Sequence, residues 1–215
     1  MKVILFDYDG TLNNSLEANF HAFQGVAKEF GLPTITLQQF LDWYNPNWYP
    51  VYQKMGVPIN AWKKADETWL RHYHQRRSRL FPDSVRTLNT LKLMGCKVGL
   101  VTGGTRDRVE KELKMRRIHD LFDTIIYGSD VMREELKPSP MQIRMALKQL
   151  REEARKAVYV GDTPIDVLAG KKAGVTTVAT TRGFSSAERL RRAKPDFIIH
   201  NLRELLEIIK ENRAR

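Results

Sequence analysis

KVILFDYDGT, residues 2–11, joins a short apolar run to two acids and a glycine. Val3, Ile4, Leu5 and Phe6 follow one another without polar interruption, as expected of a strand covered on both faces in a parallel sheet. The run stops at Asp7, and Asp9 follows two residues on. Residues two apart on extended chain point to the same side, so the two carboxylates share one side of the strand end. Gly10 then lets the chain bend away. In open α/β sheets the carboxyl ends of strands are where ligands bind. Two like charges this close call for a cation, a proton or an electrophile beside them. A strand that merely ends in an Asp-Gly turn has the same local signature, so the choice rests on the remaining chain.

The chain has 215 residues, enough to bury a sizeable core in one large domain or one plus a small one. With 42% hydrophobic residues its composition is that of a folded protein. The single cysteine, Cys96, rules out an internal disulfide and a cysteine-rich zinc site, and reads as a small core residue. No apolar run approaches the length of a membrane span. The four apolar residues after Lys2 are too few for a signal peptide, so a cytoplasmic, membrane-free protein is expected. The net charge of +11 raises the question of nucleic acid. The basic stretches at 106–117 and 189–194 are mixed with or preceded by acids, as in a solvated helix face with i,i+4 pairs. No nucleic-acid motif accompanies them. His72 and His74 are no metal pair, because residues two apart on a helix do not face each other.

Working outward from the first strand, helical periodicity runs through Leu16, Phe20, Phe23, Val26, Ala27 and Phe30, and Gly31 with Pro33 ends it. Aromatics then crowd together over 37–69, which holds all four tryptophans and no strand pattern. Residues 13–83 therefore read as a small all-α insert whose aromatics are mainly core. Beyond it, helix and strand alternate. Strands are expected at 98–101, 124–127, 157–160, 175–179 and 197–199, with helices between them and a closing helix from Leu202. This is an α/β pattern, a Rossmann-like parallel sheet flanked by helices.

The ends of these strands carry polar groups suited to phosphoryl transfer. The first carries Asp7 and Asp9. The second is followed by Thr102, Gly103 and Gly104, and a later one by Asp162, with Asp166 four residues on. Lys137-Pro138 precedes a helix between the last two. Parallel strands place their carboxyl ends on one sheet edge, so these groups can converge. Singly each is weak; four in this order and context are specific.

In these motifs the chain resembles the haloacid dehalogenase superfamily, and within it the phosphatases with a helical cap, of phosphoglycolate phosphatase type. DYDGT at 7–11, VTGG at 101–104, KPSP at 137–140 and GDTPID at 161–166 match its four motifs, over nearly the whole chain. The resemblance implies a catalytic core at 1–12 and 84–215 and a cap at 13–83. Gly103 stands where relatives often have asparagine, and Asn13-Asn14 where they often have an acid.

The implied function is a Mg2+-dependent phosphatase acting on a small phosphorylated metabolite. Asp7 would be the nucleophile that forms an aspartyl-phosphate, and Asp9 the acid and then the base. Thr102, Gly103 and Lys137 would bind the phosphoryl group. Asp7, Asp162 and the backbone carbonyl of Asp9 would hold Mg2+, with Asp166 supporting directly or through water. The alternatives are a dehalogenase on the same fold, or a phosphatase acting on nucleic-acid ends. The first needs neither a metal nor an acid beside the nucleophile. The second lacks sequence support, and no specific nucleic acid is expected.

Overall fold

The computed structural model describes residues 1–45 and 47–214, with side chains to Glu211. Its strands are β1 Val3–Phe6, β2 Asn13–Asn14, β3 Arg79–Leu80, β4 Lys97–Val101, β5 Thr124–Ile126, β6 Ala157–Gly161, β7 Thr176–Thr180 and β8 Phe197–Ile199. Its α-helices are α1 Leu16–Glu29, α2 Leu37–Trp43, α3 Tyr49–Met55, α4 Trp62–His74, α5 Ser84–Leu93, α6 Arg106–Met115, α7 Met141–Leu150, α8 Pro164–Ala173, α9 Ala187–Arg192 and α10 Leu202–Ala214. None of the described helices is long and apolar enough to cross a membrane. The chain divides into two compact units, Met1–Asn13 with Leu80–Arg215, and Asn14–Arg79.

The first unit is the expected Rossmann-like α/β fold. Six strands pair in parallel in the order β5-β4-β1-β6-β7-β8. The alternation of a strand sorts β1 onto two faces. Ile4 and Phe6 join Leu88 and Leu91 of α5, Val109 and Leu113 of α6, and Leu202, Leu205 and Ile209 of α10. Val3 and Leu5 pack with Ile143, Ala146 and Leu147 of α7 and Ala169 and Ala173 of α8. Both faces are thus covered, which is why β1 is apolar throughout. Cys96 is buried in the first of these cores.

Residues 80–83 pack with this unit although the aromatic-rich composition before them suggests otherwise. The Phe81 N–H donates to the Leu12 carbonyl at 3.0 Å. Asp83 accepts from Arg182 at 2.5 Å and from the Leu202 N–H at 2.8 Å.

Among the described residues, the regular structure of the second unit is helical apart from its terminal strand residues. Phe23 of α1 sits at its centre, with ring centroids of Phe40, Tyr52 and Trp69 at 5.5, 5.8 and 6.2 Å. Ala18, Ala22 and Tyr73 form a neighbouring cluster. The small residues let α1 and α4 approach closely.

Candidate active site

β1 lies between β4 and β6, and their registers place Phe6 opposite Leu100 and Val160. Asp7, just beyond β1, donates its N–H to the Val160 carbonyl at 2.8 Å. Asp162 follows β6 directly. The chain runs outward from β1 to β4 and β5, then returns to β6 on the other side, so the edge beside β1 is a topological switch point. The loop after Asp7 folds on the Tyr8 carbonyl, which accepts from Leu12 and Asn13 at 2.9 Å each. Gly10 takes φ +82°, and a Cβ there would stand 2.3 Å from Asp162 Oδ2. Only glycine meets both conditions.

Asp7, Lys137, Asp162 and Asp166 are brought together, each 5% exposed or less. Lys137 Nζ donates to Asp7 Oδ1 at 2.6 Å, to Asp166 Oδ1 at 2.7 Å and to the Tyr159 hydroxyl at 3.0 Å. Tyr159 in turn donates to Asp166 Oδ1 at 3.0 Å. Thr163 donates its hydroxyl to Asp166 Oδ2 at 2.5 Å and its N–H at 3.1 Å. Asp166 also caps the start of α8. Its acceptor positions are filled by the protein. Asp162 accepts from Thr11 at 3.1 Å and from the Phe184 N–H at 2.7 Å.

One oxygen from each of Asp7, Asp162 and Asp166 lies within 4.8 Å of the others. Three buried carboxylates face one buried ammonium, which leaves an excess of negative charge. Burial, only partly opposed by Lys137 and reinforced by Asp166, pushes the Asp7 carboxyl up to about 7. Burial, then Asp166 and Asp7, raise Asp162 well above the ordinary carboxylate range. Burial works against the charge on Lys137, but Asp166 and Asp7 outweigh it and hold the ammonium well above the usual lysine value. An all-oxygen donor set with surplus negative charge fits a hard divalent cation. Among the described residues this is the one such group of metal-ligating side chains.

Thr102 lies just beyond β4 and is buried. Its hydroxyl accepts from the Gly104 N–H at 3.0 Å, turning the loop back on itself. The Gln142 amide holds this loop from beneath, donating to the carbonyls of Thr102 at 2.9 Å and Tyr127 at 3.1 Å. The Gly103 carbonyl comes so close to Gly128 that a Cβ there would stand 2.0 Å from its oxygen.

Asp9 points elsewhere than the carboxylate cluster. Asn13 donates to its Oδ1 at 3.0 Å and Arg108 to its Oδ2 at 2.5 Å. This corrects the expectation that the charges of 106–117 form a solvated face. Arg106 and Lys114 do pair with Glu110 on the outside. Arg108 and Glu112 are buried, and Arg116 is nearly so. No motif in the sequence marks Arg108, Glu112 or Tyr159 as belonging to the site. The available signal was α6 itself, which offers only Val109 and Leu113 to the core, so its inner face had to be completed by their neighbours at 108 and 112.

A family profile described as haloacid dehalogenase-like hydrolase matches residues 4–180. The chain is 28% identical to the pyrophosphatase PpaX of Bacillus pumilus, over 97% of this chain and 96% of that one. It is 27% identical to PpaX of Bacillus cereus, over 100% and 99%. Among solved structures, a predicted phosphoglycolate phosphatase from Haemophilus somnus superimposes with a TM-score of 0.83 at 25% identity, covering 97% of this chain and 98% of that one. The chain belongs to the haloacid dehalogenase-like hydrolase family, and within it is an enzyme of phosphatase type.

Proposed function

We propose that the chain hydrolyses a small phosphate monoester in two steps, with the phosphoryl group carried on Asp7 between them. The observation that supports this most is the Asp7 carboxylate at the end of β1, bonded through Oδ1 to Lys137 at 2.6 Å. No donor among the described residues reaches its Oδ2. In the first step an Asp7 oxygen bonds to phosphorus as the bond to the leaving oxygen breaks, and Asp9, entering this step in its protonated form, gives that oxygen its proton and is left as the carboxylate. In the second, Asp9 takes a proton from water. The water oxygen bonds to phosphorus, and Asp7 is released with inorganic phosphate. Thr102, Gly103 and Lys137 bind the phosphoryl oxygens, and the Lys137 charge opposes their build-up of negative charge.

Asp7, Asp162 and the Asp9 carbonyl are assigned to hold Mg2+, with Asp166 acting through water because its own oxygens are engaged by Lys137, Tyr159 and Thr163. Bound there, Mg2+ supplies positive charge to the phosphoryl oxygens and screens the carboxylates from one another. Hydrolysis at carbon on the same fold would need no such cluster, which favours phosphate over haloacid. The helical unit is assigned to substrate selection, as a cap. The names of the relatives put pyrophosphate and phosphoglycolate first among compounds to try.

The test is a screen of phosphate esters and pyrophosphate with and without Mg2+. Release of phosphate from small compounds, lost on chelation, is expected. Turnover that survives exhaustive chelation, or a phosphorylated oligonucleotide preferred over every small compound, would overturn the proposal.

A further inference from the structure

We propose that Arg108 is the positioning residue for Asp9, held in turn by Glu112 and Arg116. The inference rests on the assignment of Asp9 to the leaving oxygen made above. Arg108 Nη2 donates to Asp9 Oδ2 at 2.5 Å while Nη1 reaches Oδ1 at 3.5 Å. The same Nη1 meets Glu112 Oε1 at 3.1 Å. Glu112 Oε2 accepts from the Tyr8 hydroxyl at 3.0 Å and lies 3.3 Å from Arg116. Arg116 donates to Asn13 Oδ1 at 3.0 Å, and Asn13 returns to Asp9 Oδ1. Asp9, Arg108, Glu112, Arg116 and Asn13 thus close a ring between the loop after β1 and helix α6. With Asp9 ionised, the form it has after giving up its proton and in which it acts as base, the two carboxylates and two guanidiniums balance in charge.

Such a ring is a poor device for stability alone. Buried ion pairs lose in desolvation much of what they gain in attraction, and an apolar inner face on α6 would serve a core as well. What the ring does provide is direction. The Asp9 carboxylate is gripped at Oδ1 by Asn13 and at Oδ2 by Arg108, so both its plane and its rotation about Cβ are fixed. A proton donor has to lie within about 2.6–3.2 Å of the atom it serves, and a misplacement of about 1 Å can cost about 100-fold.

That requirement gives the test a readout a structural role would not move. An alkyl leaving group depends on being protonated as it departs, whereas p-nitrophenolate leaves readily without help. For a reaction passing through a phosphorylated enzyme, kcat/KM reports events up to departure of the leaving group. We would measure it for phosphoglycolate and p-nitrophenyl phosphate with Mg2+ in the wild type, Arg108→Gln, Arg108→Lys and Glu112→Gln, with circular dichroism to monitor folding.

Arg108→Gln is expected to lower kcat/KM about 100-fold for the alkyl ester and less than about 5-fold for the aryl ester, the lower end of what a positioned acid supplies. Arg108→Lys, which keeps the charge, should recover part of the alkyl loss, and Glu112→Gln should show the same bias more weakly. Should Arg108→Gln fail to fold, the alkyl-to-aryl ratio of Arg108→Lys decides in its place. Equal losses on both esters, or none, would overturn the role of Arg108 while leaving the phosphatase reading intact. A wild type that turns over no phosphate compound would overturn that reading, and this inference with it.

Discussion

In the α/β unit the buried side chains include Asp7, Arg108, Glu112, Lys137, Asp162 and Asp166. In the helical unit, among the described residues, no charged side chain is buried; its interior is Phe23, Phe40, Tyr52 and Tyr73 with small alanines between them. Its ion pairs lie outside, as with Arg71 and Glu29, whose side chains are 57% and 34% exposed. Burying aromatics stabilises a fold, and burying charges costs stability unless each is partnered. One unit spends its interior on packing. The other holds, around one sheet edge, groups that a stable core would do without, Asp7 tied by a single hydrogen bond from Lys137 and the rest by two or more.

The sharpest way to break this contrast is to alter each interior in turn. Asp7→Asn should lower turnover of any phosphate substrate by at least about 1,000-fold while the protein stays folded, since it removes the proposed nucleophile and no apolar contact. A folded variant with near-wild-type activity would refute the role of Asp7. Phe23→Ala should instead act on stability, by about 3–5 kcal/mol, through the cavity it leaves among Phe40, Tyr52 and Trp69. All four tryptophans lie in the helical unit, so the thermal transition followed by their fluorescence reads this loss there. An unshifted transition would mean that Phe23 is not the centre of that core.

A smaller effect sharpens the electrostatic side. The folded-state value of Asp7 is raised to about 7, above its usual 3.8. Between about pH 4 and 7 the folded, metal-free protein keeps a proton that the unfolded chain has released. Its stability should therefore fall as pH rises through that window. Mg2+ held by Asp7, as proposed, would have to expel that proton, so its apparent affinity should strengthen as pH rises through about 7. Melting temperatures at pH 5 and 7.5, with and without Mg2+, check both signs; Mg2+ stabilising more at pH 5 than at 7.5 would contradict them. The smallest effect is expected at the exposed pair. Arg71→Gln should leave the tryptophan transition unmoved within error, because ion pairs in water contribute little.

The sequence reading was strongest where one residue pattern had one physical explanation. The continuous apolar runs of β1, β4 and β6 can only be buried on both faces, and the residues just past them, Asp7, Thr102 and Asp162, follow from strand direction. Strand order was not readable, because nothing in a run of valines names its neighbour. The charges of α6 were harder still. Arg106, Arg108, Glu110 and Glu112 look alike as letters, yet two face water and two are buried. The difference lies in their phase relative to Val109 and Leu113 and in the acid at Asp9 that draws Arg108 inward. In the sequence Tyr159 is one letter of an apolar strand, although its hydroxyl ends 3.0 Å from Lys137. Alternation points it to the α7 side of the sheet, and nothing local says that a lysine 22 residues earlier waits there.

The central claim is that phosphate passes through Asp7, and it can be tested by finding where the phosphoryl group rests. Wild-type protein would be quenched in acid during turnover of a phosphate ester with Mg2+, digested, and its peptides weighed by mass spectrometry. The account predicts one added phosphoryl group on Asp7 in the peptide from the start of the chain, absent from Asp7→Asn. A phosphoryl group on another residue, or none in a quenched reaction shown by a burst of leaving group to have accumulated an intermediate, would contradict it.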